Sequence, residues 1–256
     1  MTYDLPPELL VESDDAVRIV TFNNPGQLNA FSDPLHDAMI DVWSQLAKDP
    51  ECRAVVLTGA GRAFSAGGNI PGFIRDFEDP EHRRASLRAA RRLVDEMLAF
   101  HIPVIAAVNG PAVGLGCSVA TLCDIVLMAD GAYLADTHVS IGLVAGDGGA
   151  MSWPLMTSIL KAKEYLFTGD RIPAEQAVAL GLANRVVPGD TLLAEARALA
   201  HRIAAQPPQA VQETKRAVNL HLQQAANLVL PYALAAEGES FGTDDIRKTI
   251  EKFRSR

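Results

Sequence analysis

A histidine and an aspartate stand nine residues apart in LADTHVSIGLVAGDGG, residues 134–149. The imidazole of His138 has an ordinary pKa close to neutrality, so it can act as a general base at pH 7. If Asp147 bonds to one imidazole nitrogen, it fixes the tautomer and raises the basicity of the other nitrogen. We therefore expect a catalytic His138/Asp147 pair. The alternatives are a structural histidine and an aspartate that caps a helix beginning at GGAMSW.

Two glycine-bearing turns follow short apolar runs. The turn glycines are Gly59, Gly61, Gly67 and Gly68 in the first turn, and Gly110, Gly114 and Gly116 in the second. Glycine permits positive φ and lets backbone N–H groups approach a ligand closely. Two such N–H groups can converge on one oxygen atom, as in an oxyanion hole, although glycines that only pack helix against strand are the alternative. Neither turn has the GxxxxGK[ST] or GxGxxG pattern, which disfavours nucleotide binding.

The elements that must position these residues alternate along the chain. Five runs are nearly continuous in hydrophobicity, as in strands covered on both faces: VRIVTF (17–22), AVVLTG (54–59), PVIAAVNG (103–110), DIVLMAD (124–130) and NRVVP (184–188). Helical patterns lie between them, for example at 33–50 and 81–100, which predicts an α/β fold. We divide the chain into a core over 1–194 and a C-terminal helical region over 195–256, with breaks at Pro207-Pro208 and at Pro231.

Composition excludes several classes of protein. The 256 residues carry a formal net charge of −8, which argues against nucleic acid or an anionic membrane as partner. Cys52, Cys117 and Cys123 have no metal-ligand spacing, so we expect reduced, buried thiols, no disulfide and no metal site. The beginning of the chain does not resemble a secretory signal, and no apolar run reaches the roughly 18 residues of a membrane span. We therefore predict a cytoplasmic protein.

Four segments resemble the enoyl-CoA hydratase/isomerase family, also called crotonases. They are AFSAGGNI (63–70), PVIAAVNGPAVGLGCSVATLCDIVLMAD (103–130), AKEYLFTGDRIPAEQAVALGLANRVVP (162–188) and TDDIRKTIEKF (243–253). The resemblance implies a spiral of ββα units in two roughly perpendicular sheets, with C-terminal helices that assemble a homotrimer or a dimer of trimers. It also implies an acyl-CoA thioester substrate, with coenzyme A as part of the substrate and no covalently bound cofactor.

The same resemblance implies positions for the binding residues. The two backbone N–H groups that hold the thioester oxygen map to Ala66 and Leu115. Further expected contacts to substrate or coenzyme A are Ser65, Gly67, Gly68, Asn69, Ile70, Gly114, Phe253 and Arg256. Arginines 83, 84, 88, 91 and 92 meet coenzyme A phosphates or form a solvated helix face. We expect an apolar loop around residues 71–77 to line the acyl pocket.

The chain departs from the hydratases of this family at the catalytic positions. Hydratases use two glutamates, whereas this chain has Ser118 at the first position and His138 at the second. Asp147 stands where many hydratases have alanine. Three functions therefore stay open. The first is a lyase resembling the hydratases, in which His138 moves a proton or activates water. The second is a hydrolase that cleaves a carbon–carbon bond by a retro-Claisen reaction. The third is a non-catalytic protein that binds coenzyme A.

The His/Asp spacing also resembles that of oxocamphor hydrolase, a crotonase relative that cleaves a carbon–carbon bond of a β-diketone. That resemblance extends to His36 and Glu237, which match polar active-site residues there, although surface or packing roles are the alternative for each. It fails at Leu115, where the hydrolase has a histidine, and at Phe31, where it has a tryptophan. We therefore rank the lyase first and the hydrolase second.

Overall fold

The computed structural model of the protein describes residues 2–255. Its strands are β1 (Leu9–Asp14), β2 (Val17–Phe22), β3 (Ala54–Gly59), β4 (Val104–Val108), β5 (Ala112–Val113), β6 (Ile125–Ala129), β7 (Tyr133–Ala135), β8 (Ile172–Pro173) and β9 (Arg185–Val187). Its helices are α1 (Asp33–Ala47), α2 (Ile70–Glu78), α3 (Pro80–Ala99), α4 (Leu115–Leu122), α5 (Gly149–Met156), α6 (Ile159–Thr168), α7 (Ala174–Leu180), α8 (Leu192–Ala204), α9 (Pro208–Ser240) and α10 (Asp244–Arg254).

The larger sheet forms the core. Its strand order is β1-β2-β3-β4-β6-β9, and every neighbouring pair except β1 with β2 is parallel. Strands β3 and β4 are buried along their whole length, as expected for parallel strands covered on both faces. The five runs predicted from continuous hydrophobicity coincide with β2, β3, β4, β6 and β9, which confirms the α/β class.

A small second sheet brings the functional segments together. Its order is β5-β7-β8, and β5 immediately precedes the Gly114 turn and α4. An isolated bridge between Ser65 and Ala112 ties the first glycine turn to β5. Since β7 pairs with β5 and leads directly into residues 136–147, both glycine turns and the His138 segment lie side by side.

Two expectations about helices are wrong. Residues 71–77 form α2 rather than a loop, because the Asn69 side chain caps its first turn and accepts the Gly72 N–H at 2.8 Å. Pro71 fits the same turn, where its missing N–H has no intrahelical partner to lose. Helix α9 also continues through Pro231, although a proline there removes one main-chain hydrogen bond.

The C-terminal helices pack directly on the core. Helix α8 lies against β3 and β4, and α9 packs against α3 and α5. The boundary predicted between residues 194 and 195 falls within α8. The division of the chain into a core and a C-terminal helical region stays a prediction. No helix among residues 2–255 is both long enough and apolar enough to cross a membrane.

Candidate active site

A cavity of about 500 Å³ brings together candidate residues from distant parts of the chain. His36 comes from α1, His138 and Asp147 from the segment between β7 and α5, and Glu237 from α9. Both glycine turns also line it, through Ala66, Gly67, Gly68, Asn69, Gly114 and Leu115. The surface roles considered for His36 and Glu237 are therefore wrong, because both side chains face this cavity.

His138 lies between two carboxylates. Its Nδ1 is 2.6 Å from Oδ1 of Asp136, and its Nε2 is 3.4 Å from Oδ2 of Asp147. All three residues are more than nine-tenths buried. The carboxylate that orients the ring is thus Asp136, which the sequence analysis missed although it stands only two residues before His138. Asp147 faces the other ring nitrogen.

This arrangement determines the charge of the pair. Burial on its own lowers the pKa of His138, but the two carboxylates outweigh burial and hold that pKa well above its usual value. Burial on its own raises the pKa of Asp147, but the facing His138 cation and the Ser118 hydroxyl outweigh it, and the pKa is lowered. Both shifts favour the charged forms, an imidazolium facing a carboxylate, whereas the sequence predicts a neutral imidazole that acts as a base.

Ser118 binds the Asp147 carboxylate oxygen that does not face His138. The Ser118 hydroxyl donates to Oδ1 of Asp147 at 2.8 Å, which leaves Oδ2 directed at His138. Asp147 does not cap the following helix, because α5 begins at Gly149 with Gly148 in the cap position and no side-chain cap. The helix-capping interpretation of Asp147 is wrong.

Two further ionisable groups in the cavity are neutral at pH 7. Glu237 is buried, and its Oε2 has no hydrogen-bond partner among residues 2–255. Burial, with a smaller contribution from the charges of Asp147 and Asp136, raises the pKa of Glu237 to about 8, although the His138 charge opposes the rise. Burial likewise lowers the pKa of His36, so its imidazole is uncharged. The site therefore holds a protonated carboxylic acid and a neutral imidazole.

The free N–H group of the first glycine turn belongs to Gly68, not to Ala66. The Ala66 N–H donates to the Leu28 carbonyl at 2.9 Å, so it is not available to a ligand. The Gly68 N–H makes no hydrogen bond within the described part of the chain. Leu115 is the first residue of α4, where an N–H has no intrahelical acceptor. Two unpaired N–H groups, from Gly68 and Leu115, therefore belong to residues that line the same cavity.

Gly67 is required for the first turn to adopt this shape. Its φ is +83°, and a Cβ at this position would lie 2.5 Å from the Val113 carbonyl oxygen and 3.4 Å from the Leu115 nitrogen. Ser65 supports the turn from within: its hydroxyl donates to the Asn29 carbonyl at 2.8 Å and accepts from the Gly67 N–H at 3.2 Å. Ser65 is fully buried and does not line the cavity, so the substrate contact expected for it is wrong.

Other predicted contacts lie outside the cavity. Ile70 is 42% exposed at the start of α2. Phe253 packs against Phe73 with 6.1 Å between ring centroids, beside the cavity rather than in it. Arg256 lies outside the described residues. Of the arginine cluster, Arg83 lines the cavity, whereas residues 84, 88 and 92 are exposed on α3.

Comparison with known proteins gives a consistent result. The sequence matches the enoyl-CoA hydratase/isomerase family over residues 12–256. A short-chain-enoyl-CoA hydratase of Clostridium acetobutylicum is 34% identical over 96% of this chain and 94% of that protein. The crystal structure of an enoyl-CoA hydratase/isomerase from Mycobacterium paratuberculosis is 51% identical, with 98% and 100% of the two chains covered and a TM-score of 0.94.

A further solved structure that this chain resembles bears on the second function considered above, a hydrolase that cleaves a carbon–carbon bond. It is that of a β-diketone hydrolase from the cyanobacterium Anabaena, bound to (S)-3-oxocyclohexyl acetic acid. The two proteins are 28% identical, with a TM-score of 0.85 and coverage of 92% of this chain and 94% of that one.

Proposed function

This chain belongs to the enoyl-CoA hydratase/isomerase family, and from that membership we propose that it is an enzyme acting on acyl-CoA thioesters. The family uses such thioesters without a bound cofactor, so the chain's own residues must supply the chemistry. One observation carries the proposal: the two unpaired N–H groups of Gly68 and Leu115 belong to the cavity that also holds buried acid and base groups.

The N–H groups bind the thioester oxygen. A negative charge develops on this oxygen when a proton leaves the neighbouring carbon or when water adds to the conjugated double bond. Donors that are already in place stabilise that charge without reorganising, and loss of one donor typically costs about 3 kcal/mol of transition-state stabilisation. Since the donors belong to the backbone, most side-chain substitutions leave them intact.

The buried groups divide the proton transfers between them. Asp147 is ionised and can accept a proton from water, whereas His138 and Glu237 are protonated and can donate one. Addition of water to a double bond needs both steps, since water loses a proton and the carbon beside the carbonyl gains one. We therefore assign the His138/Asp147 pair, with Glu237 as a second donor, to the role of the missing glutamates in a lyase.

Hydration of crotonyl-CoA tests this assignment. The reaction is monitored as the loss of absorbance of the conjugated thioester. We expect turnover by the wild-type enzyme and a loss of at least about 100-fold for His138→Ala and for Asp147→Asn. His221→Ala is the matched control, because His221 is exposed on α9 outside the cavity. Turnover that is unchanged in His138→Ala contradicts the assigned role.

A carbon–carbon hydrolase is the second candidate. The observation that favours it is the convergence of His36, His138, Asp147 and Glu237, the four positions that resemble oxocamphor hydrolase, in one cavity. In that reaction water attacks one carbonyl, the bond to the central carbon breaks, and the departing enolate is protonated. Turnover of a cyclic β-diketone or a 3-oxoacyl-CoA without turnover of crotonyl-CoA identifies this function, and binding without any turnover identifies a non-catalytic binder.

We also propose the homotrimer, or dimer of trimers, implied by the family resemblance. Helices α5 and α6 support it, because they expose large apolar side chains at Leu155, Ile159, Leu160 and Phe167, each more than half exposed. Light scattering on the purified protein measures the mass directly. A monomer contradicts this proposal without affecting the assignment of the site.

A further inference from the structure

The cavity extends beyond the catalytic groups to the junction of α2 and α3, where charged side chains line it. Most of these charges have a partner. Nη1 of Arg75 lies 2.6 Å from an oxygen of Asp33, and Nδ1 of His82 lies 2.6 Å from Oδ1 of Asp76. The hydroxyl of Ser86 donates to the same oxygen of Asp76.

Arg83 differs from its neighbours. Its guanidinium donates through Nη1 to the main-chain carbonyl of Asp76 at 3.0 Å and lies 5.3 Å from the ring centroid of Phe241. It makes no ion pair with a carboxylate among residues 2–255, and neither Nε nor Nη2 forms a hydrogen bond there. A half-buried guanidinium thus faces the cavity with most of its five N–H donors unused.

The position of Arg83 relates it to the reacting groups. Phe241 follows Glu237 by four residues, which is about one helical turn, or roughly 6 Å along the axis. Arg83, Phe241 and Glu237 line the same cavity, and the guanidinium contacts it through the Phe241 ring rather than through the Glu237 carboxyl group. The same cavity has apolar lining residues, Phe73, Leu87 and Leu143 among them.

We propose that Arg83 binds a carboxylate at the far end of the acyl group, so that the preferred substrates are thioesters of dicarboxylic acids. A planar guanidinium donates two parallel hydrogen bonds to a carboxylate, and such pairs are stronger where apolar walls exclude water. The inference rests on the proposed function in one respect, since it requires the thioester group to lie at Gly68 and Leu115.

A phosphate of coenzyme A is the competing source of negative charge. Arginines 84, 88 and 92 are exposed on α3, so a phosphate can contact them and keep much of its hydration. Arg83 lies instead within the cavity, beside aromatic rings that suit an acyl chain.

Binding of two saturated thioesters of equal chain length, hexanoyl-CoA and adipoyl-CoA, tests the inference without requiring turnover. Calorimetry on the wild-type protein is expected to show adipoyl-CoA binding at least about tenfold more tightly, as is typical of one charge-assisted pair. Arg83→Gln should abolish this preference and leave hexanoyl-CoA binding unchanged. Arg83→Lys should retain part of this preference. Arg185→Gln, which alters an exposed arginine outside the cavity, should retain all of it.

Two results would overturn the inference alone. One is binding of adipoyl-CoA by the wild-type protein that is equal to or weaker than binding of hexanoyl-CoA. The other is an equal loss of affinity for both thioesters in Arg83→Gln, which would mean that Arg83 contacts coenzyme A itself. Failure to bind either thioester overturns the proposed function and this inference with it. Circular dichroism of each variant shows that a lost preference does not come from unfolding.

Discussion

Nδ1 of His138 lies 2.6 Å from Oδ1 of Asp136, and the main-chain N–H of His138 also approaches that oxygen, at 3.3 Å. The imidazole is therefore held by its own segment of chain, independently of the cavity. Its second nitrogen is left to face Asp147 at 3.4 Å. The pair expected from the sequence is thus part of an arrangement of three residues, in which Asp136 positions the ring and Asp147 faces its other nitrogen.

Asp136→Asn should lower the pKa of His138, because it removes one of the two charges that raise it. A fall of at least about one unit corresponds to roughly 1.4 kcal/mol of lost interaction. Titration of the His138 ring by NMR measures the shift directly. If His138 donates a proton in catalysis, the alkaline limb of the pH–rate profile should move to lower pH by the same amount.

Asp190→Asn is the control for this experiment, since Asp190 is exposed and distant from the site. A His138 pKa that is the same in Asp136→Asn and in the wild type contradicts the positioning role.

The raised pKa of His138 also makes the stability of the protein depend on pH. The stabilising contribution of His138 is fully present below the ordinary histidine pKa and is lost as the pH rises through the folded-state pKa.

Glu237→Gln should stabilise the protein more at pH 8 than at pH 4. Burial raises the folded-state pKa of Glu237 to about 8, above its ordinary value of 4.5. The favourable contribution of this group is fully present below 4.5 and is lost as the pH rises toward 8. Glutamine stays neutral throughout, so the gain at pH 8 should reach a few kcal/mol, at about 1.4 kcal/mol per pKa unit.

Urea unfolding at the two pH values measures the difference between Glu237→Gln and the wild type. Glu239→Gln provides a matched control, because Glu239 lies two residues further along α9 and is exposed. A change in unfolding free energy that is the same at pH 4 and pH 8 would show that Glu237 does not titrate as a buried acid.

Gly68→Pro should remove the proposed oxyanion donor and lower kcat by about 100- to 1000-fold. Proline has no N–H, whereas Gly68→Ala keeps it, and a Cβ at this position meets no atom within 4 Å. The alanine variant is therefore the control and should retain most of the activity. Comparable kcat values for the two variants, with both proteins folded by circular dichroism, would rule out Gly68 as a donor.

The three cysteines should not react with thiol reagents in the native protein. Cys52, Cys117 and Cys123 are all buried, and burial raises the pKa of the Cys52 thiol to about 12. The reactive thiolate is therefore scarce at pH 7.5. Titration with a chromogenic disulfide should detect three thiols in denaturant and essentially none before unfolding, and rapid labelling of the native protein contradicts this expectation.

Much of the fold could be predicted because its parallel strands are buried on both faces. The continuous apolar runs of β3 and β4 show this burial directly in the sequence. Strands β5 and β8 have two residues each, too few to show any periodicity. The sequence predicts a loop in place of α2 because Pro71 and Gly72 lie in its first turn, where the Asn69 cap stabilises the helix.

The site was predicted in its residue types more than in its geometry. His138, Asp147, His36 and Glu237 all line the cavity. Which carboxylate orients the ring depends on the turn after β7, and no pattern in the sequence specifies that turn. Which N–H group of a glycine turn stays free depends likewise on backbone pairing, and Ala66 is excluded only because the Leu28 carbonyl already accepts its N–H.

The contact between Ser118 and Asp147 has a consequence for substitutions at either position. Ser118 lies on α4, and Asp147 lies in the loop before α5. The Ser118 hydroxyl already touches Asp147, and Cβ of Ser118 lies 3.0 Å from where a side chain on Gly148 would begin. Since Ser118 is also buried, a longer side chain at 118 has to displace neighbouring atoms, those of Asp147 or Gly148 among them. Substitutions at positions 118 and 147 are therefore energetically coupled, so we expect their combined effect on stability to differ from the sum of the two single effects.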